Sequence, residues 1–404
     1  MSADHTFGLG LIGCGAFGEF CLNAFRKLPG VRIAAVADVV KDAADRLADT
    51  FGVPGHYNPA ELICRDDVDL VHIATPPSSH RSLVLRAAEE GKHVLCEKPL
   101  AMDTAEADKM LAAVREAGTI CPVNFVLRHN AVTSAVKSAI DSGALGQVLS
   151  ARLTNCASDS FLPPGHWFWD KEASGGIFVE HGVHFFDLYR YWLGPGEVTS
   201  ANTLTRKGAG QALRQASGQE DRVQCTVVHD LKSEIPDSRS PIDNRQSTPK
   251  GLPPRTSAIV SHYHGFDQPR MLDRTDHRLV CELGDLRVEG WIPLTVRVDA
   301  VVDDAGAERL AACFPGAEVE TVETYSGDAG RLSSRGRERV LTKRIRLDWT
   351  PNADKQAVYA DSVRALLADQ LAYLRDPSHD RVITEANGRE AVAMAERAVT
   401  LATP

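Results

Sequence analysis

A lysine at the end of an apolar run and a histidine spaced between two carboxylates carry the clearest chemistry in this chain. His93-Val94-Leu95-Cys96 reads as a buried strand of a parallel sheet, and Glu97-Lys98-Pro99 closes it. Ligands gather at the carboxyl ends of such strands, so the Lys98 ammonium points towards whatever the sheet binds. Pro99 stops the strand and fixes the local backbone. Far downstream, Ser174-Gly175-Gly176 leads into a helical stretch from Ile177 to Tyr189. Helical spacing puts Glu180, His184 and Asp187 on one face, at i, i+4 and i+7. A histidine flanked by carboxylates is a general base with a fixed tautomer and orientation. Two alternatives stand beside it. One is a histidine satisfied within the core. The other is a metal site through His181, His184 and a carboxylate, against which His181 points about 60° off that face at ~100° per residue.

The elements that must position Lys98 begin at Phe7-Gly8-Leu9-Gly10-Leu11-Ile12, a short apolar strand followed directly by Gly13-Cys14-Gly15-Ala16-Phe17-Gly18. A helix opens at the third glycine and runs to about Leu28. In that context the glycines provide a tight turn, room for a pyrophosphate and close helix–strand packing, and the pyrophosphate sits on unpaired helix N–H groups. Arg32 to Ala37 is the next strand, ending at Asp38, where an acid accepts hydrogen bonds from the adenosine ribose. Asp38 repels a 2′-phosphate and no arginine follows within two residues, which favours NAD over NADP. Asp69 to Ala74 is a further buried strand, and the loop Thr75-Pro76-Pro77-Ser78-Ser79-His80 leaves its carboxyl end. His80 either touches the nicotinamide ribose or caps the helix that begins there. The cofactor set is thus Gly13, Cys14, Gly15, Ala16, Phe17, Gly18, Asp38, Thr75, Pro76, His80, Glu97 and Lys98.

Composition limits the alternatives. A chain of 404 residues can bury at least two cores. Its net charge of −9 argues against nucleic-acid and anionic-membrane binding, and no apolar run approaches the ~18 residues of a membrane span. Met1 to Thr6 lacks a basic and an apolar region, so nothing suggests secretion. Nine scattered cysteines without a C-x-x-C spacing read as reduced thiols in a cytoplasmic protein, with no metal site built from them.

Helices at Lys41–Phe51, Ser79–Glu90 and Thr104–Ala117, with strands at 55–57 and 119–126, complete a doubly wound parallel α/β sheet over residues 1–126. From 127 to 404 the pattern changes to an α+β unit with a largely antiparallel open sheet. Its candidate strands are 147–155, 198–205, 222–228, 256–263, 277–283, 286–291, 295–299 and 343–349. Residues 231–255 read as a mobile surface insertion, 303–336 as irregular, and 355–374 and 385–401 as two closing helices.

The glycine loop, Thr75-Pro76-Pro77 to His80, Glu97-Lys98-Pro99 and the segment from Gly175 to Asp187 together resemble the Gfo/Idh/MocA family (glucose–fructose oxidoreductase, inositol dehydrogenase and rhizopine-catabolism proteins). The resemblance implies a Rossmann domain followed by an α+β domain, and an NAD(P)-dependent oxidoreductase of sugars, inositols and related polyols. It maps Lys98 and His184 to the catalytic lysine and histidine, and Glu180 to a position that is commonly Asp. Ile177 replaces the third glycine after Gly175-Gly176, and Arg128-His129-Asn130-Ala131 lacks the proline of Arg-x-x-Pro. It also implies homodimers or homotetramers formed through the open sheet face. Some relatives cleave glycosidic bonds by transient oxidation and others are NAD(P)-responsive regulators, so both remain as alternatives.

In the resulting mechanism His184 takes the hydroxyl proton of a cyclic polyol, Lys98 stabilises alkoxide character, and Glu180 orients His184 or holds a neighbouring hydroxyl. Trp167 and Trp169 either stack on the sugar ring or anchor the core, and Asp170 or His166 binds hydroxyls. Asn124 and Arg128 line the cleft. The Asp38 reading makes a prediction: Asp38→Ala weakens NAD far more than NADP in a fluorescence titration, and equal loss with both rules out the ribose role.

Overall fold

The computed structural model describes residues 5–160, 162–163, 165–204, 220–231, 256–334 and 337–403. Strand β1 (Phe7–Ile12) is buried at every position and is the centre of a five-stranded sheet. Its partners are β2 (Val31–Ala37), β3 (Gly55–His56), β4 (Leu70–Ile73) and β5 (His93–Cys96). The order β3-β2-β1-β4-β5 is parallel throughout, with Leu9 opposite Leu70 and Ile73 opposite Cys96. The chain winds outwards from β1 to β3, then crosses back to β4, so a crevice opens at the carboxyl ends of β1 and β4.

The crossovers are helices α1 (Ala16–Phe25), α2 (Lys41–Phe51), α3 (Pro59–Ile63), α4 (His80–Glu89) and α5 (Thr104–Glu116). Side-chain oxygens start two of them: Asn58 accepts from the Ala60 amide at 3.1 Å, and Asp103 from the Glu106 amide at 2.7 Å. Helix α1 starts directly after Gly15, two residues earlier than expected. The strand expected over 119–126 is reduced to a single bridge between Cys96 and Val123. Pro122 has no N–H to offer the ladder, and a tight turn over Val126–His129 ends the pairing.

After α6 (Ala131–Asp141), capped by Asn130 and not foreseen, comes the second sheet. Its strands are β6 (Val148–Ser158), β7 (Gly196–Leu204), β8 (Arg222–Leu231), β9 (Thr256–Gln268), β10 (Arg274–Cys281), β11 (Gly284–Glu289), β12 (Thr295–Val302), β13 (Glu318–Thr324) and, after a small hairpin of β14 (Arg331–Ser334) and β15 (Arg337–Val340), β16 (Lys343–Trp349). The order is β13-β16-β12-β11-β10-β6-β9-β8-β7, antiparallel except for β6 beside β9. Residues 303–336 are not wholly irregular as expected. They hold helix α9 (Asp304–Cys313), started by Asp303, and strand β13. Every β13 residue is exposed at the sheet edge, so it carries no buried apolar period to read. Of the expected insertion at 231–255, Leu231 ends β8 and the remainder lies outside the described residues.

Between the sheets run the short α7 (Lys171–Ser174), ended by Gly175 (φ +78°) and Gly176 (φ +86°), and then one helical segment in which a π-turn over Phe178–Gly182 continues into α8 (Val183–Leu193). Phe185, Phe186, Leu188 and Tyr189 are fully buried against the second sheet. The closing helices α10 (Lys355–Arg375) and α11 (Glu385–Ala402) pack back on α1, α5 and α8. Among the described residues no helix is long and apolar enough to cross a membrane.

Arg128 holds this arrangement, and does so in place of the cleft-lining role expected of it. Its guanidinium donates from Nε and Nη2 to the two carboxylate oxygens of Asp187, each at 2.8 Å, and from Nη1 to the Val382 carbonyl at 3.3 Å. Asp187 is 1% exposed and Arg128 8%. Arg128→Ala leaves that carboxylate buried and unpaired, and should cost ~3–5 kcal/mol of unfolding free energy, seen as a lower urea midpoint. The apolar exchange Arg128→Met with Asp187→Leu should restore most of it. An unchanged midpoint for Arg128→Ala means the pair does not secure the helix.

Candidate active site

The glycine loop after β1 has the shape of an anion cradle. Gly13 takes φ +102°, and a Cβ there would lie 2.4 Å from the Ala74 carbonyl oxygen. A Cβ on Gly18 would lie 2.2 Å from the Gly13 carbonyl oxygen, so this glycine seats α1 against the loop. At Gly15 a Cβ meets nothing within 4 Å. Gly15 therefore borders open space at the start of α1, where no side chain caps the helix. Asp38 ends β2 beside the loop, accepting from the Cys14 amide at 2.7 Å and the Val40 amide at 2.8 Å. These features fit a dinucleotide pyrophosphate and ribose. Arg46 also reaches the loop, but it donates to the Cys14 carbonyl at 3.1 Å and pairs with Glu19. Burial pushes the Cys14 thiol up to about 12, so it stays protonated.

At the end of β5 the Lys98–Pro99 bond is cis. His80 sits beneath it, with Nδ1 2.8 Å from the Pro99 carbonyl and Nε2 2.9 Å from the Thr75 carbonyl. Burial keeps the ring neutral, so its one N–H donates to one of these carbonyls and its other nitrogen faces the second. His80 joins the Thr75 loop to the lysine turn and leaves no nitrogen for a ribose. Glu97 points inwards, its Oε1 3.0 Å from His72 Nε2 and accepting from Asn124 Nδ2 at 2.6 Å. Asn124 thus gives its Nδ2 to Glu97, while its buried Oδ1 has no partner among the described residues. Cys21, His72 and Glu97 are the one group of metal-type donors that converges among the described residues, within 4.8 Å; His181 and His184 form no such group.

Lys98 reaches across to the helical segment. Its ammonium pairs with the Glu180 carboxylate and donates to the Glu180 carbonyl at 3.2 Å. The first sheet and the helix packed on the second sheet meet at this contact. Glu180 is thus bound to Lys98, and of the two roles expected of it, orienting His184 or holding a neighbouring hydroxyl, the first is not seen. Asp187, the other expected flank, faces Arg128. His184 makes no hydrogen bond among the described residues, and its buried Nδ1 has no partner there. Its ring is instead placed by packing, with the Trp291 ring at 5.2 Å and 87° and the Phe125 ring at 6.4 Å. Burial first, then the charge of Lys98 and the neighbouring His264, hold its pKa well below the usual imidazole range.

The π-turn changes the angular bookkeeping. An i→i+5 turn is wider than an α-turn, and His181 comes round to place its ring 6.0 Å from that of His184. Trp169 is buried, donates from Nε1 to the Leu162 carbonyl at 2.8 Å and packs on Phe168, which makes it an anchor. Trp167 is partly exposed beside His166. Asp170 is exposed and caps α7 through the Glu172 amide at 3.0 Å. Two residues escaped the sequence reading. Trp291 touches His184, and Tyr359 joins Trp291 (5.6 Å) to Phe17 (5.9 Å) of the glycine loop. Trp291 closes the candidate strand over 286–291, the only signal it gives, and Tyr359 gives none.

With this geometry in place, comparison with known proteins is specific. Residues 7–125 match the description "Oxidoreductase family, NAD-binding Rossmann fold" (GFO_IDH_MocA), and residues 133–233 match its C-terminal domain. The chain is 31% identical to scyllo-inositol 2-dehydrogenase (NAD(+)) of Bacillus subtilis over 49% of its own length and 57% of that protein's. It is 29% identical to inositol 2-dehydrogenase of Rhizobium meliloti over 66% of itself and 82% of the relative. A levoglucosan dehydrogenase solved with NADH and levoglucosan superposes with a TM-score of 0.70 at 18% identity, covering 98% of this chain and 97% of that one, which shows the fold.

Burial lowers His184 and a row of core imidazoles with it. His264 and His277 fall to about 3, and His129 and His229 to about 4. Unfolded histidine titrates near ~6.5, so below that pH the unfolded chain binds more protons than the native one. Stability is then full above pH ~6.5 and falls as pH drops towards the folded values, by about 1.4 kcal/mol per pH unit for each such histidine. Urea unfolding at pH 7 and pH 5 should show a clear fall at the lower pH. Equal midpoints mean these rings are hydrated and titrate normally.

Proposed function

Since the chain belongs to the Gfo/Idh/MocA family of oxidoreductases, we propose that it is an NAD-dependent dehydrogenase of a secondary alcohol on an inositol, sugar or related cyclic polyol. The observation that carries this is the contact of Lys98 with Glu180, beside a neutral His184 on which the charge of Lys98 acts. A base that stays unprotonated and a cation near one point suit removal of a hydroxyl proton. His184 accepts that proton. Lys98, held by Glu180, donates a hydrogen bond to the alcohol oxygen as alkoxide character develops. Trp291 and Phe125 keep the imidazole in place and shield it from water. The glycine loop, Asp38 and the Thr75 loop hold NAD, which supplies the hydride acceptor when bound.

Residues 1–126 bind the dinucleotide, and 127–404 supply the substrate groups and the subunit contact. That contact uses the outer face of the second sheet, where Ile259 is 56% exposed, and forms a homodimer or homotetramer. All nine cysteines are free thiols, in keeping with a cytoplasmic protein.

The test is a spectrophotometric screen of inositols, aldoses and anhydrosugars with NAD and NADP. Steady NADH formation with a free polyol is the expected result, and its absence with every polyol overturns the reading. Lys98→Met and His184→Ala should each lower turnover by at least ~10²-fold while NADH affinity changes little. Full activity of His184→Ala would remove it from the mechanism.

A further inference from the structure

We propose that His181 is a substrate-binding residue that holds the hydroxyl next to the one deprotonated by His184, so that the site selects vicinal diols. This rests on the dehydrogenase reading above. The π-turn brings His181 to the cleft side of the helical segment, 8% exposed, with its ring 6.0 Å from His184 at 73°. Behind it lie the rings of His264 at 5.5 Å and Phe266 at 5.0 Å, each nearly perpendicular to it. Its buried Nε2 has no partner among the described residues, which leaves Nδ1 as the nitrogen turned to the cleft.

The atom that meets a ligand is Nδ1, which makes no hydrogen bond among the described residues and stays accessible beside the reacting group, while Nε2 remains buried. His262, His264 and His277 also carry unpartnered nitrogens, yet they are 0–1% exposed and lie wholly between α8 and the second sheet. Among the described residues of this helical segment and the sheet behind it, His181 and His184 combine such a nitrogen with a ring edge at the cleft. Burial keeps His181 neutral, with one lone pair and one N–H to share. Each of the two imidazoles reaches an oxygen at about 2.8 Å, and rings 6.0 Å apart then address two neighbouring oxygens of one substrate ring. Glu180 cannot serve both oxygens while it holds Lys98. His181 is the remaining polar group of that helical turn.

The experiment uses the full chain with NAD and, as probes, myo-inositol or scyllo-inositol, whichever turns over faster, and its analogue lacking the hydroxyl beside the reacting carbon. His181→Phe keeps an aromatic ring against His264 and Phe266 and removes both nitrogens. Wild-type kcat/KM should be at least ~10-fold higher for the diol than for the deoxy analogue, and in His181→Phe this preference should fall to about 1. The loss should lie mainly in KM, with the pH profile of kcat unmoved and NADH affinity unchanged. His181→Asn should recover part of the preference, and His181→Leu, which also lacks a polar atom, replaces His181→Phe if that variant no longer binds NADH. A preference undiminished in the variant that binds NADH overturns the proposal and leaves the dehydrogenase reading standing. Absence of turnover by the wild type with any polyol overturns that reading first, and this one with it.

Discussion

A guanidinium and a carboxylate, sealed together between three distant stretches of chain, set the geometry on which the cleft depends. Arg128 follows the first sheet directly, Asp187 sits in the middle of α8, and Val382 precedes the last helix. Burial pushes the Asp187 carboxyl up, and Arg128 draws it only part of the way back. Such a pair adds little net stability over an apolar substitute, but either half alone is costly. Its effect is to admit one placement of α8 against the first sheet. Glu180 and His184, on the same helical segment, inherit that placement. Lys98 arrives from the other side on a turn that His80 ties to the Thr75 loop.

The parts of this site that were legible in the sequence are those whose position follows from local backbone. The glycine loop, Asp38 and Lys98 each end a short buried strand, and a strand end is a place that can be counted to. The residues misread are those whose place is decided by partners far away in sequence. Arg128 has the chemistry of a substrate ligand and is instead bound by Asp187. Trp169 has the shape of a sugar platform and is buried on Phe168 and Phe266. Asp170 lies in the right region but caps a helix. The same limit applies to β13, whose residues all face solvent and so leave no hydrophobic alternation to detect.

The helical segment adds a different kind of error. Glu180 and His184 share a face in an ideal α-helix, and so a direct contact was expected between them. The backbone from Phe178 to Gly182 takes the wider turn, and Glu180 leaves His184 for Lys98 while His181 swings towards the cleft. Nothing in the residue types announces the change. Gly182 is compatible with it, since a Cβ there would press to 3.3 Å on the Phe186 ring. A local irregularity of one turn thus redistributes three functional groups, and π-turns are frequent at such sites.

The last described helix, α11, reaches both halves of the protein. Glu396 accepts from the Thr104 hydroxyl at 2.6 Å, Glu385 from the Cys121 amide at 3.2 Å, and Glu390 pairs with Arg190 on α8. Chains emerge from the ribosome from the amino end, and domains fold largely as units in that order. The nucleotide-binding sheet can therefore pair its strands early. The groove that faces it stays unbraced until residues 385–402 have left the ribosome, so a nascent chain can hold a dinucleotide cradle long before it owns a working cleft.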